Sequence, residues 1–168
     1  MTLPILVTFN DALTKLMESS SLYMYIQQQI VPVEIRLIAL LLSPLPIHII
    51  PNFDGFTVNG NYVQMTWNCI GWQSILLLLI TLYIGLRAGS YTLSSSLEAV
   101  SIAVLGTFIM NLIRLSLIVI ILSVSKPIFA IVYHDYLAAI FTIAWLFFFW
   151  WFAYKFVLEE KNPELKAI

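Results

Sequence analysis

Four segments of this chain, residues 35–51, 69–86, 97–124 and 128–156, are dominated by apolar side chains and separated by short polar connections. A hydrocarbon core about 30 Å thick asks for roughly 20 apolar residues in a helix, with a minimum near 17. Inside lipid, every backbone N–H and C=O must be paired within the protein, so a segment of this kind spans as a helix. Composition bears on whether water could be the solvent instead. Of the 168 residues, 61% are hydrophobic and 10% charged, against ~45–50% and ~25% in a soluble domain. The fold class predicted is all-α: a polytopic transmembrane bundle of about four spanning helices plus an N-terminal interfacial helix.

Three regions follow. Residues 1–34 read either as an amphipathic segment lying at the interface or as a partly ordered tail. Asp11 is a candidate N-cap, with Leu13, Leu16 and Met17 on one side and Lys15 and Glu18 on the other. Tyr23, Tyr25 and Gln27 to Gln29 make it too polar to cross. No basic stretch precedes the apolar start, so it does not read as a cleaved signal peptide. Residues 35–158 form the bundle that would carry the chemistry. Its first span has Pro44, Pro46 and Pro51 in its far half, which predicts a kink near Ser43. Residues 90–96 read as a connection, and Ser125, Lys126 and Pro127 as a tight turn. Residues 159–168 form a charged tail.

One connection has its own signal. In residues 52–68, Phe56-Thr57-Val58 and Asn61-Tyr62-Val63 flank Asn59-Gly60, the pair that favours a two-residue type I′ turn. A small β-hairpin is predicted there, at the outer mouth of any site.

Orientation comes from Lys and Arg. With the N-terminus inside, Lys15, Arg36, Arg87, Lys155, Lys161 and Lys166 fall on the cytoplasmic side, and Lys126 falls outside. A formal net charge of −1 argues against nucleic acid as a partner. One cysteine excludes an intrachain disulfide and the dithiol cycle of a thiol oxidoreductase. A single Arg and a single His do not line a pore, so a channel is disfavoured.

Ionisable residues within spans draw the chemical argument, because each costs at least ~2.5–3.5 kcal/mol at the bilayer centre. Arg114 lies in Asn111-Leu-Ile-Arg114-Leu-Ser. It is either a structural arginine that snorkels or bonds carbonyls, or a functional one. His134 is either interfacial or a base. Folding the third and fourth spans about Lys126 places Arg114 12 residues before the turn and His134 8 after it, so their depths differ by ~6 Å. Cys69 opens the second span on the same side and is either inert packing or a nucleophile. A thiol, an imidazole and a guanidinium together have the parts for acyl transfer.

Cys69-x-Gly71-x-x-Ser74 at the start of one span, Asn111-x-x-Arg114 within the next and His134 at the start of the one after resemble the exosortase/archaeosortase family, over residues ~65–140. The resemblance implies a membrane transpeptidase-like cysteine enzyme. Its substrates would be membrane-anchored proteins bearing a C-terminal sorting signal: a short motif, a transmembrane helix and a basic tail. It implies Cys69, Arg114 and His134 as the catalytic set, with Asn111, Ser74 and Asp135 in support and no metal or organic cofactor. The site would face outward from the cytoplasmic membrane. The competing expectation is a non-catalytic membrane subunit of an export or assembly complex, with Arg114 pairing across an interface.

Overall fold

The computed structural model describes residues 21–52, 55–65, 67–124 and 127–161, and these are mostly helical. The elements are α1 (Ser21–Leu41), β1 (Ile49–Pro51), β2 (Gly55–Val58), β3 (Asn61–Gln64), a 3-10 turn (Trp67–Ile70), α2 (Trp72–Arg87), α3 (Leu93–Val124) and α4 (Pro127–Phe152), which runs on into one π turn (Ala153–Val157). The amphipathic segment expected from Asp11 and the turn at Ser125 and Lys126 lie outside the described residues.

Among the described residues, two helices are long and apolar enough to cross a membrane: Leu93–Val124 and Ala139–Val157. The first covers the third expected span, and the second covers the later part of the fourth. Helix α2 is apolar but shorter, at 16 residues. The expected first span, residues 35–51, comes out differently. Helix α1 runs through residues 34 and 35 without a break, ends at Leu41 and gives way to turns and then β1. The cause is Pro44. It pushes Ser43 out of helical geometry, and a staircase of short bonds, Ser43 N–H to Leu40 O and Leu45 N–H to Leu42 O, replaces the helical ladder. The chain ends its helix where a kink was expected. A small sheet therefore qualifies the all-α expectation.

The described chain forms two compact units, Met1–Trp72 with Leu115–Tyr133, and Gln73–Arg114 with His134–Ile168. The first carries the sheet. Its strands are antiparallel in the order β1-β2-β3, with Ile50 opposite Thr57 and Phe56 opposite Val63. The predicted hairpin is present. Asn59 (φ 50°) and Gly60 (φ 81°) both lie in the left-handed region, as a type I′ turn requires. Asn59 Nδ2 donates to Ser123 O at 3.1 Å. That carbonyl belongs to the last turn of α3, where no helical N–H remains to meet it. At the other end of the sheet, Asn52 bonds the Gly55 carbonyl and the Thr57 hydroxyl, closing the β1–β2 connection. Val31, Ile35 and Ile38 bury one stripe of α1, Leu42 just past its end is buried too, and so are Phe56, Val58, Met65 and Val119 in the same unit.

The second unit, hereafter the helical unit, is an up-down-up arrangement of α2, the N-terminal part of α3 and α4. Its core is Leu78 and Leu82, Ala99 and Ala103, and Phe149 and Ala153. Small residues on α3 face large ones on α4, so the backbones come close, as in membrane helix pairs. A β-carbon at Gly106 would fall inside the Trp145 ring, and one at Gly85 inside the Trp150 ring. Residues 93–96 were expected in a connection. They form instead the first turn of α3, capped by the Thr92 hydroxyl, which accepts from Ser95 N–H at 3.4 Å and donates to Ser95 Oγ at 2.9 Å. The start of the expected tail is fastened there too: Thr92 N–H donates to Glu159 O, and Lys161 N–H to Ser90 O.

Candidate functional site

Three polar residues of α3 share one side of the helix. Thr107, Asn111 and Arg114 are spaced four and then three residues apart, which returns to the same face of a 3.6-residue helix. Asn111 is 8% and Arg114 4% exposed. Ser74 heads the inner stripe of α2, followed by the buried residues Leu78, Leu82 and Gly85. Helix α4 contributes Thr142 and Trp145, one turn apart.

These side chains meet. A cavity of about 20 Å³ is lined by Ser74, Thr107, Met110, Asn111, Arg114, Phe141, Thr142 and Trp145, which is room for one water. Two hydroxyl contacts brace it. Ser74 Oγ and Thr142 Oγ1 lie 2.6 Å apart, joining α2 to α4. Trp145 Nε1 donates to Thr107 Oγ1 at 2.9 Å, joining α4 to α3, and the Thr107 hydroxyl donates onward to Ala103 O at 2.8 Å. Asn111 and Arg114 are themselves engaged by neighbouring groups. The cavity is thus a polar room between apolar helices, with a guanidinium, an amide and hydroxyls facing one small volume.

Three of the six residues singled out from the sequence, Ser74, Asn111 and Arg114, are brought together here. His134 and Asp135 lie in α4 by their backbone, and their side chains fall outside the described residues. The register of the α3–α4 pair is nevertheless fixed. Thr107 stands 19 residues before Lys126 and its bonded partner Trp145 stands 19 after it. On that register Arg114 and His134 are four residues apart in depth, ~6 Å. Cys69 belongs to the sheet-bearing unit. It lies in the 3-10 turn Trp67–Ile70, 7% exposed. Gly71 (φ 78°) then turns the chain into α2. A left-handed residue at this point suits glycine, so the Cys-x-Gly spacing has a conformational reason.

Sequence reading missed four residues. Thr107, Thr142 and Trp145 were legible as hydrogen-bonding groups inside apolar helices, and Thr107 shares the face of Asn111 and Arg114. Glu34 is the fourth. It is 1% exposed, on the buried stripe of α1 with Val31, Ile35 and Ile38. Its spacing from those residues was the available signal, obscured by ending one segment at residue 34 and starting another at 35. Comparisons with known protein families, curated protein sequences and solved structures give no match to this chain.

Proposed function

We propose that the chain is a multi-pass membrane cysteine transpeptidase or protease of the exosortase/archaeosortase type, with Cys69, Arg114 and His134 as its reacting groups. The membrane part of this reading is supported by the helical unit. Ile75, Leu76, Leu79 and Ile80 on α2, Val104, Leu105 and Ile109 on α3, and Ile140, Ile143 and Phe147 on α4 are all exposed. A band of that kind is unfavourable in water and neutral in lipid. Only 17% of the Ala139–Val157 window is buried, unlike the core helix of a soluble protein. Orientation with the N- and C-termini cytoplasmic, the Asn59 hairpin outside and about four crossings remains part of the proposal. It is supported by Arg87, Lys155 and Lys161, which cluster at the ends of α2 and α4. There Arg87 lies 4.7 Å from the Tyr83 ring centroid and Lys155 5.4 Å from that of Trp151.

The observation that carries the chemical reading is the shared cavity of Ser74, Asn111 and Arg114, three residues of the motif set on α2 and α3. The Cys69 thiolate attacks the scissile carbonyl of a sorting signal. The Arg114 guanidinium stabilises the resulting oxyanion or the thiolate. The intermediate collapses to a thioester as His134 protonates the leaving amine, and His134 then takes a proton from the acceptor that resolves the thioester.

The test is co-expression with membrane proteins that end in a short motif, a transmembrane helix and a basic tail, following loss of that helix. Wild type should release it, while Cys69→Ala and Cys69→Ser should not. Arg114→Lys should lose ~10²–10³-fold, because a point charge lacks the planar fork. His134→Ala should slow processing strongly. Full processing by Cys69→Ala would leave the non-catalytic subunit as the better account. Impermeant labelling of a cysteine placed at residue 59 of intact cells tests the orientation, with labelling expected and protection contradicting it.

A further inference from the structure

We propose that Thr142 is a positioning residue, acting through Ser74 on the start of α2; this rests on the cysteine-enzyme reading above. The first turn of α2 follows Cys69 by three residues, and only the left-handed Gly71 and Ile70 intervene. In the helical unit, the hydroxyl pair Ser74–Thr142 at 2.6 Å holds that first turn of α2 against α4. Further along, α2 meets α4 through apolar contact, with Gly85 under the Trp150 ring.

The same pair forms one wall of the cavity that Asn111 and Arg114 line. Thr142 also lies on the helix that carries His134, eight residues on, and thus about two turns away. Thr142 therefore ties the helix behind the nucleophile to the helix of the imidazole, beside the guanidinium. The bond itself is a modest contributor to stability, as interhelical side-chain bonds in membranes generally are. Its effect on rate is larger, because a misplacement of about 1 Å at reacting groups costs about 10²-fold.

The experiment compares Thr142→Val, Thr142→Ser and Ser74→Ala, alone and combined, in the processing assay with a saturable range of substrate. Folded protein in the membrane and its thermal midpoint in mild detergent are measured in parallel. Thr142→Val should lower kcat by about 10- to 10²-fold with KM and the amount of folded protein little changed. Thr142→Ser, which keeps the hydroxyl, should recover most of the rate. The Ser74→Ala/Thr142→Val double variant should be no slower than the slower single variant, because both remove the Ser74–Thr142 bond. A wild-type rate for Thr142→Val overturns the inference, as does equal loss by Val and Ser, or multiplication of the two single losses. Cys69→Ala separates the two levels of argument. If it processes normally, the enzyme reading fails and this inference with it. If it is inactive while Thr142→Val is not, only this inference fails.

Discussion

The two units of this chain satisfy their polar groups in different ways. In the sheet-bearing unit, backbone does most of it. Strands pair in register, the Asn59-Gly60 turn closes the hairpin, and the Asn59 amide caps a carbonyl at the end of α3. In the helical unit the backbone groups inside the helices are used by their own ladders, and the contacts between helices fall to side chains: Ser74 with Thr142, and Trp145 with Thr107. The difference teaches where each unit is sensitive. Turn chemistry is local, so an error there disturbs a few residues. Helix contacts depend on close approach, so one extra carbon disturbs three helices.

The sharpest way to break this comparison is to fill the α3–α4 contact. Gly106→Val places carbon where the Trp145 ring lies. Overpacking should cost ~1–3 kcal/mol, and moving the ring also breaks its bond to Thr107. A marked fall in the detergent melting midpoint is expected, with less folded protein in the membrane. An unchanged midpoint would show that the helices are not held at this distance. Thr107→Val keeps the shape and leaves the Trp145 N–H without its acceptor. A loss of ~1–3 kcal/mol is expected for that buried donor, read in the same melt.

The sheet-bearing unit should respond less. Gly60→Val meets open space but must hold φ near 81°, at a cost of ~1–2 kcal/mol for a residue with a β-carbon. Faster proteolysis within residues 55–64, with the global melt little moved, is the expected signature. Asn59→Gly keeps the turn and removes only the bond to Ser123 O. On an exposed group that is at most about 1 kcal/mol, seen as faster amide exchange near the end of α3. If Asn59→Gly lowered the melt as far as Gly106→Val, the contrast between the units would be wrong.

Some of this was readable along the chain and some was not. Residues 97–124 and 128–156 announced their helices by unbroken apolar character, and the hairpin announced itself through Asn59-Gly60 between β-prone triplets. The segment at 35–51 misled because its prolines were read as a kink near Ser43 within a span, whereas the helix ends at Leu41. In the same way, Leu93 and the serines after it looked like linker until Thr92 was seen capping them. Thr142 illustrates a different limit. Its contact with Ser74 spans 68 residues of sequence.

The sequence by itself determined which residues are costly to bury, Arg114 and Asn111 foremost, and that Thr107, Asn111 and Arg114 share one helical face, because 3.6-residue periodicity is a property of the chain alone. It also determined the turn at Asn59-Gly60, since left-handed backbone is a matter of which residues carry a β-carbon. Only the tertiary structure decided which hydroxyls meet which, that Gly106 and Gly85 admit tryptophan rings, that Glu34 is buried, and that Ser74, Asn111 and Arg114 share one cavity. Those are facts of packing between segments distant in sequence. They depend on the distance and rotation between helices, which no local periodicity encodes.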